Sequence, residues 1–353
     1  MEESAMASTR VDYKKLLHFV GASFEKLGVP SDDAQIAANG LVMADLRGVD
    51  THGVIRFNPY SWYVKWLKEG SMTAKPNIRI VSENAATALI DGDNGMGMVV
   101  GHRAMEIAIQ KAKSSGVAMV AARNSRHYGM SAYYAMRALA HDMIGIAMTN
   151  ASRQVVPTFG RDARYGTNPI CFAVPAKEEV AFVLDMATNT AAAGKLELAA
   201  RLGKAIPLGW ALDENAASTT DPRVAQKARR LLPLGGTRDR GSHKGYGLAI
   251  LVEILCGVLT GTVKDSMTGS AKSSHSSTRR STARASLPTC SVKTSGFLAA
   301  AIRFTARSMA CGSMSVGRTT SLALLCSFSC TSSIMHSKGT PIRTGPAGGS
   351  IAM

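Results

Sequence analysis

Apolar positions along the first 261 residues alternate between a period typical of helices and a period typical of strands. Residues 12–28 carry apolar side chains on one helical face, and this predicted helix ends at Gly28. Residues 31–48 predict a second helix, with Ser31 as its N-cap and acids in its first turn. Residues 77–93 alternate with a period of two, which predicts two strands joined by a turn.

The rest of this region continues the alternation of helices and strands. Further helices are predicted over 102–116, 131–143 and 191–204, and further strands over 117–124, 144–151, 169–176 and 180–188. This order predicts an α/β body with a mixed or partly antiparallel sheet, and no internal repeat is visible. The apolar run over 246–261 contains Glu253 and is too short to cross a bilayer comfortably, so we expect a buried helix there.

Composition narrows the class of protein. Hydrophobic residues make up 46% of the chain and charged residues 19%, which is ordinary for a globular protein. The first ten residues, "MEESAMASTR", lack the apolar core of a signal peptide, and the six cysteines show no paired spacing. We therefore expect a cytoplasmic protein without a membrane segment, a metal site or a disulfide framework.

Residues 262–353 differ abruptly from what precedes them. They contain twenty Ser, twelve Thr and four of the six Cys, lack Glu, and carry a charge of +10 out of the total of +16. One interpretation is a disordered, basic, low-complexity tail that contacts RNA or acidic partners. The other is a stretch that does not continue the evolved body, such as the product of a reading-frame shift. The simultaneous loss of acids and rise in Ser, Thr, Arg and Cys favours the second interpretation.

The stretch "RGVDTHGVIRFNPY", residues 47–60, concentrates unusual chemistry. His52, Arg56 and Tyr60 are four residues apart, so a helix beginning near residue 50 would place them on one face. A guanidinium there could bind a carboxylate through two hydrogen bonds, and an imidazole that titrates near neutrality could exchange a proton with a carbonyl oxygen. The alternative is a surface helix with an ordinary polar stripe.

Two further loops carry candidate side chains. His127 follows the strand 117–124 and precedes a helix, a junction where α/β enzymes often place functional groups, although a single histidine there is commonly structural. The glycine-rich stretch 233–255 leads through His243 and Lys244 into an apolar helix. Free backbone N–H groups beside a lysine could bind phosphate, or the loop could simply cap the helix.

Two other features have competing interpretations. Gly95, Gly97 and Gly101 resemble a dinucleotide-binding fingerprint, but no acid follows at the required distance, so we interpret them as a turn with close backbone packing. Asp185 ends a predicted strand within "LDMAT". Its carboxylate could bind a ribose hydroxyl or cap a helix.

Taken together, these segments resemble the malate/L-lactate dehydrogenase family of the second, non-Rossmann type, which includes ureidoglycolate, sulfolactate and diketogulonate enzymes. The resemblance covers about residues 10–261 in family order. Segments that carry it include "ADLRGVDTHGVIRF", "NSRHYGMSAYYA", "YGTNPICFAVPA", "GKLELAARLGKAIPLGWALD" and "HKGYGLAILVEIL". It implies a sulfolactate-dehydrogenase-like α/β fold, a homodimer, and hydride transfer between NAD or NADP and a small 2-hydroxy or 2-oxo acid.

The resemblance also implies roles for individual residues. His52 corresponds to the catalytic acid/base and His127 to a second active-site histidine; family members differ over which transfers the proton, and we favour His52. Arg56 would anchor the substrate carboxylate, and Tyr60 would line the substrate pocket. The residues that would hold the cofactor are Ser152, Asp185, Met186, Ala187, His243 and Lys244.

Finally, the resemblance predicts an incomplete protein. We place a helical substrate lobe at residues 1–120, an incomplete cofactor lobe at 121–261, and a non-matching segment at 262–353. Within that segment "SGFLAAAIRF" echoes a family sequence, but its surroundings do not fit. The alternatives to an active dehydrogenase are an inactive relative and a nucleic-acid-binding protein with a basic tail, the latter poorly supported because the tail lacks Tyr and Trp.

Overall fold

The fold consists of a large β-sheet with helices packed against it. The computed structural model describes residues 10–58, 62–262 and 295–303. The helices are α1 (Tyr13–Lys26), α2 (Ser31–Leu46), α3 (Trp62–Lys68), α4 (Gly97–Ser115), α5 (Ala132–Ala135), α6 (Ala193–Arg201), α7 (Pro222–Ala228) and α8 (Ser242–Glu253). Shorter 3-10 turns cover Asp50–His52, Val54–Arg56 and Met136–His141, and a π-helical turn, Ile254–Val258, follows α8.

In the described part of the chain, seven strands form the large sheet in the order β1-β2-β3-β9-β4-β5-β6. They are β1 (Arg79–Glu83), β2 (Thr87–Gly95), β3 (Val117–Ser125), β4 (Met143–Thr149), β5 (Ile170–Val174), β6 (Phe182–Met186) and β9 (Ser295–Arg303). Among these described strands, β2 and β3 pair in parallel, and the other neighbouring pairs are antiparallel. The predicted mixed, partly antiparallel sheet is therefore confirmed, together with the two strands predicted within residues 77–93.

The parallel pair contains the glycines that resemble a dinucleotide fingerprint. Helix α4 connects β2 to β3 and begins at Gly97. A side chain at Gly97 would lie 2.7 Å from the backbone carbonyl carbon of His127, and one at Gly101 would lie 2.7 Å from the ring of Tyr134. Because the neighbour of Gly97 is backbone, its surroundings support the interpretation of close backbone packing.

Strand β9 corrects the expected end of the body near Gly261. Its residues pair with β3 on one side and with β4 on the other, in the middle of the sheet. Phe297, Ala299 and Ala301 are buried in the main core. Residues 295–303 therefore belong to the fold, because an apolar strand can bury both faces in a central position. The remainder of 262–353, and with it the predicted disorder, lies outside the described residues.

A smaller unit packs around a two-stranded sheet of β7 (Ala211–Leu212) and β8 (Arg230–Leu231). Its core includes Val155, Leu196 and Leu231, contributed by a loop, by α6 and by β8. Asp221 caps α7 by accepting hydrogen bonds from two backbone N–H groups of its first turn.

Helix α8 differs from the expected fully buried helix. Ala249 and Val252 lie in the interior, whereas Leu248 and Leu251 are exposed on the opposite face. Within the described ranges, no helix is both long and apolar enough to span a membrane. The predicted boundary between the two lobes at residue 120 stays a prediction.

Candidate active site

His52 and Arg56 lie on consecutive 3-10 turns, and the continuous helix considered for this stretch does not form. Gly53 has an extended backbone conformation between the two turns. The side chain of Asp45 at the end of α2 accepts a hydrogen bond from the N–H of Val54 at 2.9 Å, which holds the second turn. The turns bring His52 and Arg56 to the same cavity, while Tyr60 lies outside the described residues.

His127 lies in the loop after β3, with its ring stacked against that of His52. The ring centroids are 5.6 Å apart, and the planes differ by 18°. Nδ1 of His127 faces the hydroxyl of Tyr63 at 2.6 Å and accepts a hydrogen bond from the N–H of Gly129 at 3.3 Å. Because Nδ1 acts as an acceptor, a neutral His127 carries its proton on Nε2.

Three contacts hold the guanidinium of Arg56. Its Nε–H donates to the carbonyl oxygen of Thr51 at 2.6 Å, and its Cζ lies 4.6 Å from the centre of the Trp62 ring. Its Nη1 is 4.0 Å from a carboxylate oxygen of Glu197 on α6. The backbone bond and the aromatic face fix the plane of the guanidinium without neutralising it, which suits recognition of an anion.

Electrostatics favour neutral histidines in this site. Burial, together with the positive charge of Arg56, lowers the pKa of His52 to about 4. Burial, His52 and Arg56 together lower the pKa of His127 well below its ordinary value. Both imidazoles are therefore uncharged bases at neutral pH, and the charge of a bound carboxylate would raise the pKa of each.

These groups line a cavity of about 660 Å³, which is in the usual range for ligand sites. Beside His52, His127 and Arg56, one wall consists of the consecutive residues Thr149–Ser152. The facing wall includes Gly194 on α6, where a side chain would lie 2.7 Å from Cγ2 of Thr51. Of the predicted cofactor residues, Ser152 is thus placed in the cavity.

The other predicted cofactor residues occupy different positions. Asp185 accepts a hydrogen bond from the N–H of Ala132 at 2.8 Å, so its carboxylate caps the start of α5. Met186 ends β6, and Ala187 follows it. His243 and Lys244 are exposed in the first turn of α8. Among the described residues that line the cavity, none of these five appears.

Sequence reasoning missed an aromatic group beside the histidines. Tyr63 is fully buried, and Trp62 lies edge-on to His127 with the ring centroids 4.4 Å apart. Both come from "SWYVKWLK", directly after the stretch that carries His52. The density of aromatic residues there is a signal, but nothing in the spacing connects Tyr63 to a histidine 64 residues away.

Comparison with known proteins decides the family. The family model described as malate/L-lactate dehydrogenase matches residues 11–312. The chain belongs to the malate/L-lactate dehydrogenase family. Family membership makes it an oxidoreductase, and because the match includes β9, the end of the resemblance expected near Gly261 was too early.

Two relatives show how far the similarity extends. The malate dehydrogenase of Pyrococcus horikoshii is 48% identical over 253 residues, which are 71% of this chain and 69% of that protein. The structure of malate dehydrogenase from this species gives a TM-score of 0.69 at 38% identity, covering 86% of this chain and 78% of the other.

The sulfolactate dehydrogenase structure from Methanocaldococcus jannaschii gives a TM-score of 0.66 at 38% identity, with coverages of 82% and 77%. The predicted non-Rossmann, sulfolactate-dehydrogenase-like fold of this family member is therefore confirmed.

Proposed function

We propose that this dehydrogenase transfers a hydride between NAD or NADP and a small 2-hydroxy or 2-oxo acid of malate or lactate type. The observation that carries the proposal is the placement of two neutral, stacked imidazoles beside a fixed guanidinium in one cavity. A 2-hydroxy acid offers the matching groups, because its carboxylate pairs with a guanidinium and its hydroxyl proton needs a base.

Each side chain has a role in this proposal. Arg56 binds the carboxylate, and Tyr60 lines the pocket beside it. During oxidation the neutral imidazole of His52 accepts the hydroxyl proton as a C=O bond forms, and during reduction the protonated ring returns it to the oxygen. His127 is oriented by Tyr63 and stacks on His52. It is the alternative candidate for transferring this proton.

The residues present fit a nicotinamide dinucleotide. The cavity extends from the histidines along Thr149–Ser152 and is large enough for a nicotinamide and its ribose. Ser152 would hold the cofactor from this wall, and Asp185, Met186, Ala187, His243 and Lys244 are proposed as further contacts. When bound, the nicotinamide supplies or accepts the hydride.

Exchanging each histidine in turn tests the roles. The purified chain, His52→Gln and His127→Gln are assayed with malate, lactate and sulfolactate, each with NAD and with NADP, by the absorbance of the reduced cofactor. We expect His52→Gln to lower kcat by about a hundredfold or more. His18→Gln, on the exposed surface of α1, is the matched control. If His127→Gln alone abolishes turnover, the two roles are exchanged; if both variants keep parental kcat, the proton-transfer proposal is wrong.

The alternative within the same family is an inactive relative. It is supported by the length of the match, since the chain spans 69% of the Pyrococcus horikoshii protein. Titration with NADH, followed by its fluorescence, separates the possibilities, because the active enzyme binds the cofactor and the inactive relative does not. We also propose that the protein is cytoplasmic and forms a homodimer. Analytical ultracentrifugation of the purified chain tests its oligomeric state.

A further inference from the structure

Glu253 is an acid within an apolar stretch, at the point where α8 passes into a π-helical turn. It is the last residue of α8, is half-buried, and immediately precedes the π-helical turn Ile254–Val258. Its neighbours Val252 and Cys256 are buried. Burying a carboxylate in such surroundings costs free energy unless hydrogen bonds compensate for the lost hydration. The hydrogen-bond partners of Glu253 are therefore the guide to its role.

Both oxygens of Glu253 accept hydrogen bonds from buried asparagines. Oε1 accepts from Nδ2 of Asn150 at 3.2 Å, and Oε2 accepts from Nδ2 of Asn168 at 2.9 Å. Asn150 and Asn168 are 1% and 0% exposed, so both amides depend on hydrogen-bond partners within the protein. Asn168 has a positive φ of 37°, a conformation that its local hydrogen bonds must hold.

The opposite ends of the two amides are already bound to backbone. Oδ1 of Asn168 accepts from the N–H of Ala151 at 3.0 Å, and Oδ1 of Asn150 accepts from the N–H of Gly296 at 2.9 Å. Rotating either side-chain amide by 180° would break its hydrogen bond to a backbone N–H group. Both amino groups must therefore point at residue 253, and the site requires a side chain that only accepts.

This network ends at the cavity. Asn150 and Ala151 belong to the wall Thr149–Ser152, whereas Glu253 is not among the described lining residues. We propose that Glu253 is a positioning residue: through Asn150 and Asn168 it sets the conformation of the Thr149–Ser152 wall and thereby the affinity for the dinucleotide. The part concerning the dinucleotide rests on the proposed function.

Glu253→Gln tests the proposal with almost no change in shape. Glutamine offers one acceptor and one donor, so one buried asparagine amino group would face another amino group. We expect the Kd for NADH to rise by up to roughly tenfold, the factor that corresponds to one unsatisfied buried donor if its cost falls wholly on the binding-competent conformation of the wall. At saturating cofactor, the KM for the 2-oxo acid should stay within about twofold of the parent.

Glu106→Gln is the matched control. Glu106 on α4 likewise accepts hydrogen bonds, from His102 at 3.1 Å, Arg103 at 3.2 Å and Arg137 at 3.3 Å. None of these four residues is among those that line the cavity. Both variants should lower Tm, but only Glu253→Gln should change the Kd for NADH. Glu253→Asp keeps two acceptors, so its Kd should lie between those of the parent and Glu253→Gln.

Backbone hydrogen exchange supplies a readout that does not depend on the cofactor. The N–H groups of Ala151 and Gly296 should exchange faster in Glu253→Gln than in Glu106→Gln at equal global stability. A parent chain that binds neither NADH nor NADPH refutes the proposed function, and faster exchange at Ala151 would still support the positioning role. Parental exchange rates together with a parental Kd in Glu253→Gln would overturn the inference.

Discussion

Acid should destabilise this protein through a histidine of the candidate site. His52 has a pKa of about 4 in the folded chain, compared with an ordinary value of 6.5. The unfolded chain therefore binds more protons between these two values, and the free energy of unfolding must decrease as pH falls through this window. Above its ordinary pKa, His52 is neutral in both the folded and the unfolded chain. At neutral pH, therefore, proton binding by His52 does not lower the free energy of unfolding.

The size of the effect follows from the two pKa values. At about pH 5, His52 alone should lower the free energy of unfolding by about 2 kcal/mol relative to neutral pH, and by about 3 kcal/mol near pH 4. His127 and His102 also have lowered pKa values, so the parent should lose more in total.

Urea unfolding at several pH values isolates the contribution of His52. The difference between the parent and His52→Gln should change by about 2 kcal/mol between neutral pH and about pH 5. His18→Gln, on the exposed surface of α1, should follow the parent at every pH. A pH-independent difference between the parent and His52→Gln would refute the neutral imidazole on which the proposed chemistry rests.

Three further substitutions probe the geometry of the site through steady-state kinetics and Tm. Arg56→Lys should raise the KM for the 2-oxo acid about tenfold or more, because an ammonium cannot make the paired contact; an unchanged KM would remove Arg56 as the anchor. Tyr63→Phe should lower kcat by about fivefold to thirtyfold through loss of the hydrogen bond to His127, and a parental kcat would show that this bond is dispensable. Gly194→Ala should raise KM without abolishing folding, since the new methyl group meets Thr51 at 2.7 Å; parental kinetics would show that α6 yields freely.

Much of the fold could be predicted because local patterns and tertiary packing agree. The helix predicted over residues 31–48 and the strands within 77–93 form close to the expected bounds. Strand β9 was not predicted because its Ser- and Thr-rich surroundings obscure eight apolar and small residues, and only its pairing with β3 and β4 reveals its place.

Some residues of the candidate site could likewise be predicted from the sequence, and others could not. His52, Arg56 and His127 were identified from residue types and the resemblance, and the structure brings them into one cavity. Tyr63 was not predicted because its hydrogen-bond partner, His127, is 64 residues away in the sequence. Glu253 was visible as an odd charge in an apolar helix, but its function depends on two asparagine amides whose orientation only tertiary structure defines.

Hydride transfer itself is the most direct test of the central claim. The purified chain is incubated with a 2-oxo acid and with NADH or NADPH that carries deuterium at the transferable position, and the product is examined by mass spectrometry. We expect a 2-hydroxy acid with deuterium on the carbon that bears the hydroxyl, formed by His52→Gln about a hundredfold more slowly than by the parent. Absence of deuterated product from the parent with every 2-oxo acid and both cofactors would contradict the central claim.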